Sequence, residues 1–124
     1  VNQRLSCAQR LNNPVVFERA LNTRALTDKW LAIHVVPNEV GFDRLGIVIS
    51  KRNVPKAVGR NRIKRQIREI FRLKPNLHAN SFDIVVRIRR NVLKEEMALF
   101  QHVVSRLLKK VRIAENDTSV FIDN

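Results

Sequence analysis

Arg60, Asn61, Arg62, Lys64, Arg65, Arg68 and Arg72 crowd into thirteen consecutive residues that contain a single acid, Glu69. Side chains of this kind perform no bond chemistry alone; guanidinium and ammonium groups bind polyanions, above all nucleic-acid phosphates. At about 100° per residue, Lys64, Arg65, Arg68 and Arg72 project opposite Ile63, Ile67, Ile70 and Phe71, whose i, i+4, i+7, i+8 spacing is that of a core-facing helical stripe. A solvated helix face normally mixes signs so that Glu and Lys pair four residues apart, and Glu69 cannot neutralise six cations. The segment therefore reads as a helix packed on one side and aimed at a polyanion on the other. Lys51 and Arg52, where an apolar run meets a polar loop, extend the same charge in a place where binding residues concentrate.

Residues 51–72 hold nine cations against that one acid, a local charge of +8 within a chain of formal net charge +13 and pI near 11.4. Such concentration favours nucleic acid over an anionic membrane or an acidic protein. No apolar stretch approaches the roughly 20 residues of a membrane-spanning helix, so no membrane partner is expected. Catalysis by the polypeptide alone is not expected either. There is no nucleophile motif and no pair of carboxylates placed for acid–base work; Glu95-Glu96 reads as first-turn acids facing a helix dipole. His34, His78 and His102 stand at no ligand spacing, so no metal site is expected. The single Cys7 rules out an intrachain disulfide and fits a reducing compartment. Val1-Asn2-Gln3-Arg4 lacks the apolar region of a secretory signal, and the absence of an initiator Met suggests a trimmed chain.

The elements that must position these cations can be read from pattern. A chain of 124 residues suits one domain with a real core. Asn13-Pro14 opens a short helix carrying Val15, Phe17, Ala20 and Leu21 and ending near Asn22-Thr23. Trp30 to Val36 and Arg44 to Ser50 are rich in strand formers, and the linker Pro37 to Asp43 suits a hairpin between them. A polar loop, Lys51 to Gly59, leads to the basic helix, which Lys74-Pro75 should terminate. Phe82 to Ile88 is a third strand, so strand, helix and strand suggest a β-α-β crossover with parallel strands. From Leu93 to Val111 apolar residues step through a helix of nearly five turns, and Asn116 to Asn124 reads as a loose tail. The fold class is α+β: a single domain with a small mixed sheet, helices covering one face and its ends.

Once these elements are placed, the chain resembles the protein subunit of bacterial ribonuclease P over roughly residues 10 to 112. The most specific stretch runs from Gly46 through Ser50-Lys51-Arg52 and Ala57 to Arg60-Asn61-Arg62-Ile63-Lys64-Arg65 and Arg68, similar to that family's Arg-Asn-Arg signature helix. Arg10-Leu11 with Phe17, and Phe82-Asp83-Ile84-Val85-Val86, match the family's first helix and the strand after the signature helix. The resemblance implies an α-β-β-β-α-β-α order, with a fourth strand that pattern alone does not place. It implies partnership with ribonuclease P RNA in a 1:1 cytoplasmic complex. That RNA, with Mg²⁺ bound mainly by it, removes the 5′ leader of precursor tRNA. The signature helix and its loop would bind the RNA, and a cleft involving Phe17, Leu21 and Trp30 would hold the leader; some relatives have a second aromatic where Leu21 stands.

Several residues carry two readings. Arg60 projects near the apolar edge of its helix and either anchors the loop or meets phosphate. Asn61 either caps the helix or contacts RNA. Phe17 is core or a stacking platform, and Trp30 opens a strand as packing or as a base-stacking surface. For the whole chain, the rivals are a ribosomal-type basic RNA-binding protein and a stand-alone nuclease.

Overall fold

The computed structural model describes residues 10–11, 13–73 and 81–116; Cys7, His78, Lys74-Pro75 and the tail beyond Asn116 lie outside them. Pro14 sits in the first turn of helix α1 (Pro14–Leu21), and the Asn13 side chain accepts from the Val15 N–H at 2.9 Å, closing the helix start. Strands β1 (Ala25–Thr27), β2 (Leu31–Asn38) and β3 (Arg44–Val48) follow, then helix α2 (Ala57–Leu73) and strand β4 (Ser81–Ile88). A single 3₁₀ turn, Lys94–Glu96, in which Glu96 accepts from the Leu93 N–H, leads into helix α3 (Met97–Asn116). The α-β-β-β-α-β-α order is the one expected, and the short β1 is the fourth strand.

The four strands form one sheet in the order β1-β2-β4-β3. β2 and β3 therefore do not make the hairpin expected across Pro37 to Asp43. β4 inserts between them, antiparallel to β2 from Leu31↔Ile88 to Asn38↔Ser81 and parallel to β3 from Arg44↔Asp83 to Val48↔Arg87. The parallel β3-α2-β4 crossover is present as expected.

Alternation along the strands divides the core between two faces. On one face Leu31, Ile33, Ile84, Val86 and Ile88 meet Ile63, Ile67 and Phe71 of α2 and Phe100, Val104 and Leu107 of α3. On the other, Val36 and Val85 meet Leu11 and Ala20, with Val16, Phe17, Leu21 and Val48 packed around them. Helices thus cover both faces, not one face and its ends: α1 lies opposite α2 and α3. Trp30 belongs to the larger core, 1% exposed, edge-on to Phe100 with ring centroids 5.9 Å apart.

Buried polar groups clamp the end of the sheet where β4 begins. Asp83 is fully buried and takes a two-pronged bond from Arg44, at 2.7 Å from Nε and 2.8 Å from Nη2, and a third from Asn38 Nδ2 at 2.8 Å. One carboxylate thereby ties β2, β4 and β3 in register, and its hydrogen bonds, aided by its charge, hold the Arg44 guanidinium protonated more firmly than usual. Removing one partner of such a pair typically costs about 3–5 kcal/mol, because the other charge is left buried.

His34, on the α1 face of β2, is also buried. Its neutral ring donates from Nδ1 to the Thr23 carbonyl, 3.1 Å away, while Nε2 is buried without a partner among the described residues. Burial is the main cause lowering its pKa from the usual 6.5; the bond to Thr23 opposes this and the charge of Arg87 reinforces it. The unfolded chain therefore takes up the proton first as pH falls, so the contribution of neutral His34 is complete above 6.5 and is lost as pH drops below it. Urea titrations at about pH 7.5 and about pH 5.5 should show a lower midpoint at the acid value, and His34→Gln should remove most of that difference.

Candidate nucleic-acid interface

β3 is the last strand of the sheet, and its outer edge is paired only briefly. Arg10 bridges Leu45 in parallel, and the Leu11 N–H donates to the Leu45 carbonyl at 2.8 Å. Beyond that bridge the edge opens into a cleft of about 320 Å³, lined by Arg10, Leu11, Phe17, Leu45, Gly46, Ile47, Lys64 and Arg68. Three segments far apart in sequence meet here because α1 covers one face of the sheet, α2 covers the other, and β3 ends between them.

The Phe17 ring rests on the backbone of Gly46. A β-carbon built on Gly46 would stand 2.4 Å from Phe17 Cζ and 2.7 Å from Cε1, so only glycine admits the ring at this depth. Phe17 stays half-buried, with a flank toward the cleft. Opposite it, Lys64 and Arg68, one helical turn apart on α2, bring charge to the same space. Burial first, and then the charge of Arg10, pull the Arg68 guanidinium below its usual pKa. Among the described residues no acid lines the cleft. An aromatic face beside three convergent cations suits a single-stranded nucleic acid, whose bases stack and whose phosphates are anionic.

Other cations of α2 face elsewhere. Arg62 and Arg65 are exposed, and among the described residues neither has an acidic partner. Asn61 is exposed in the second turn of a helix that starts at Ala57, so it does not cap it. Arg72 is engaged by Glu69 at 2.5 Å and stands apart from the free cations. Arg60 turns back on its loop, donating to the carbonyls of Val54 at 2.9 Å and Pro55 at 2.8 Å, which makes it the loop's anchor. The loop is fastened further by Asn53, which donates from Nδ2 to the Ile88 carbonyl at 3.1 Å, and by Val54, 1% exposed. Lys51 and Arg52 are thus held exposed on a braced loop at the end of β3.

Two residues expected in the cleft lie elsewhere. Trp30 is sealed in the core on the α2 and α3 face, and Lys29 covers its ring at 4.2 Å. Leu21 packs into the cluster under α1 and does not line the cleft. Conversely, Arg10, Leu11, Leu45, Gly46 and Ile47 line it without having been expected as site residues. Gly46 carries a signal in the sequence, since a glycine within a run of Leu, Ile and Val marks a close approach of another group. Among the described residues no three His, Cys, Asp or Glu side chains converge as metal ligands, and no helix is long and apolar enough to cross a membrane.

A family model described as Ribonuclease P matches residues 5–112. The ribonuclease P protein component of Idiomarina loihiensis is 40% identical over 106 residues, 82% of this chain and 82% of that protein. That of Coxiella burnetii is 32% identical over 118 residues, 93% of this chain and 96% of its own length. A Staphylococcus aureus RNase P protein mutant with defective mRNA degradation activity superposes with a TM-score of 0.73 at 28% identity, covering 84% of this chain and 88% of that one. The RNase P protein from Thermotoga maritima gives 0.62 at 29% identity, covering 83% and 94%.

The contact between Phe17 and Gly46 makes a separable prediction. The atoms that would meet a new β-carbon are the far end of a half-exposed ring, which can swing away where a backbone could not. Gly46→Ala should therefore cost only about 1–2 kcal/mol in urea denaturation, at the lower end of overpacking. The displaced ring should register as a changed Phe17 ring-proton environment by NMR, with the β4 amide shifts largely kept.

Proposed function

The chain belongs to the ribonuclease P protein family, components of a tRNA-processing ribonucleoprotein, and we propose that it binds the catalytic RNA and the 5′ leader of precursor tRNA. In this reading Arg62 and Arg65 on the outer face of α2, with Lys51 and Arg52 on the braced loop, meet the phosphates of ribonuclease P RNA. The leader lies along the cleft at the β3 edge, a base stacked on Phe17 and its phosphates between Arg10, Lys64 and Arg68. Phosphodiester hydrolysis belongs to the RNA and the Mg²⁺ it binds; the polypeptide screens repulsion between two RNAs and holds the leader. In this reading the protein and the RNA form a 1:1 complex in the cytoplasm.

The observation that carries this reading is the cleft itself, where an aromatic ring seated on a glycine faces three cations and, among the described residues, no acid. Every phosphate that enters relieves repulsion between Arg10 and Arg68 and replaces part of the water that burial has taken from Arg68.

Holoenzyme reconstituted with ribonuclease P RNA at low Mg²⁺ should cleave precursor tRNA faster than the RNA alone. Protein without RNA should leave the precursor intact; cleavage there would favour a stand-alone nuclease, and lack of stimulation a ribosomal-type protein. In the same system Phe17→Ala should lower precursor affinity by about tenfold, since one stacked base is worth about 1–3 kcal/mol. Mature tRNA, which has no leader, should bind unchanged. A ratio of precursor to mature affinity that does not move would return Phe17 to the core.

Phosphate contacts also fix a salt dependence. Replacing Arg62, Lys64, Arg65 and Arg68 by Ala should weaken assembly with the RNA, through Arg62 and Arg65, and precursor binding, through Lys64 and Arg68, and flatten each log–log salt slope by about 0.7 to 0.9 for each phosphate no longer gripped. The fold should survive, because none of the four belongs to the Ile63, Ile67, Phe71 stripe. Loss of helical circular dichroism, or an unchanged slope, would refute the assignment.

A further inference from the structure

On the α1 face of β4, one cation has no place in the site described so far. Val86 and Ile88 point into the core beneath α2 and α3, so Arg87 between them projects to the opposite face, where its charge is felt by His34. Its neighbours across the sheet are Val48 on β3 and Ala32 on β2. Arg87 is therefore a half-buried guanidinium on an apolar stretch of sheet.

Among the described residues, Arg87 makes no ion pair, and Asp83, which shares its face on the far side of Val85, is taken by Arg44 and Asn38. A cation held partly out of water without a counter-charge is costly unless an anion arrives. The register says where that anion would come from. Val48 follows Gly46 on the same face of β3 and is the partner of Arg87, so Gly46 and Arg87 are about 8 Å apart, two residues along a strand and one strand across. Gly46 carries the Phe17 ring, and just past Val48 the chain enters the loop of Lys51 and Arg52. Arg87 thus stands between the aromatic platform and the exposed loop cations.

We propose that Arg87 is a leader-binding residue, gripping a phosphate next to the base stacked on Phe17 and carrying the leader's path across the sheet from the cleft toward Lys51 and Arg52. The assignment rests on the leader reading above. Its role is positional and electrostatic, and it adds a contact to precursor tRNA that mature tRNA lacks.

The test uses reconstituted holoenzyme with Arg87→Met and Arg87→Lys, circular dichroism and melting temperature being measured first. Arg87→Met should lower precursor affinity by about three- to tenfold, leave mature tRNA affinity and assembly with the RNA unchanged, and reduce the salt slope for precursor by about 0.7, one single-strand contact. Arg87→Lys should retain part of the affinity. A precursor with one leader phosphate replaced by a neutral methylphosphonate should bind wild type as weakly as the unmodified precursor binds Arg87→Met, with no further loss when both changes are combined. If Arg87→Met fails to fold, the same methylphosphonate scan on Arg87→Lys gives the readout. No change in the precursor-to-mature ratio, an equal loss for both tRNAs, or additive losses with the methylphosphonate at every position would overturn the proposal. If Phe17→Ala lowers the ratio and Arg87→Met does not, the Arg87 assignment falls and the leader reading stands; if neither does, the leader reading itself falls.

Discussion

Two parallel strands cannot be joined by a turn; the chain must leave the end of one and return to the start of the other across a face of the sheet. β3 and β4 are such a pair, and α2 is the segment that crosses. The basic helix is therefore no appendage. Its Ile63, Ile67 and Phe71 stripe is what makes the crossing favourable, and its direction and height above the sheet follow from the strands it connects. Because β4 is also taken by β2 on its other side, β3 is driven to the edge. The edge strand, the helix lying over one face and α1 lying over the other then leave one opening between them. The cleft exists because of that pairing.

Charge is treated in two opposite ways in this small domain. At one end of the sheet the fully buried Asp83 is held by the half-buried Arg44, through Nε and Nη2, and by Asn38. Such a pair adds little net stability over apolar packing, and its value lies in the register it specifies across three strands. Around the cleft the opposite holds: Arg10, Lys64 and Arg68 converge with no carboxylate among the described residues, and Arg68 is partly stripped of water as well. A fold selected only for stability would have placed an acid there. The free protein instead keeps repulsion that an RNA can relieve, which converts a local destabilisation into affinity for a polyanion.

How far the sequence discloses this depends on the range over which each residue's neighbours are set. The α2 stripe, the Asn13-Pro14 helix start and the three longer strands are local patterns, and they stand where expected. The hairpin expected between β2 and β3 does not form, because the turn residues of the connecting segment say nothing of strand order, which is decided by β4, more than thirty residues later in the chain. Trp30 shows the same limit. An aromatic at the start of a strand alternates to one face or the other, and only the arrival of Phe100 from α3 shows which face is core. Arg60 is ambiguous in the sequence for a different reason: a guanidinium reaches far enough to serve either a phosphate or its own loop's carbonyls, and position on a helical wheel does not distinguish them.

α2 then emerges as a helix with four working sides. The isoleucine stripe binds the sheet, Gln66 reaches Gln101 on α3, and Lys64 and Arg68 flank the cleft, while Arg62 and Arg65 face solvent. One rigid rod therefore fixes the distance between the cations that line the single-strand cleft and those presented outward. Two RNAs bound to the two sets would be held at a separation set by helix geometry, about 1.5 Å per residue along the axis and one helix diameter across. That rigidity explains why the loop before α2 is so heavily braced, with Arg60 on Val54 and Pro55 and Asn53 on Ile88. A loose loop would let the helix start drift, and both sets of cations would drift with it.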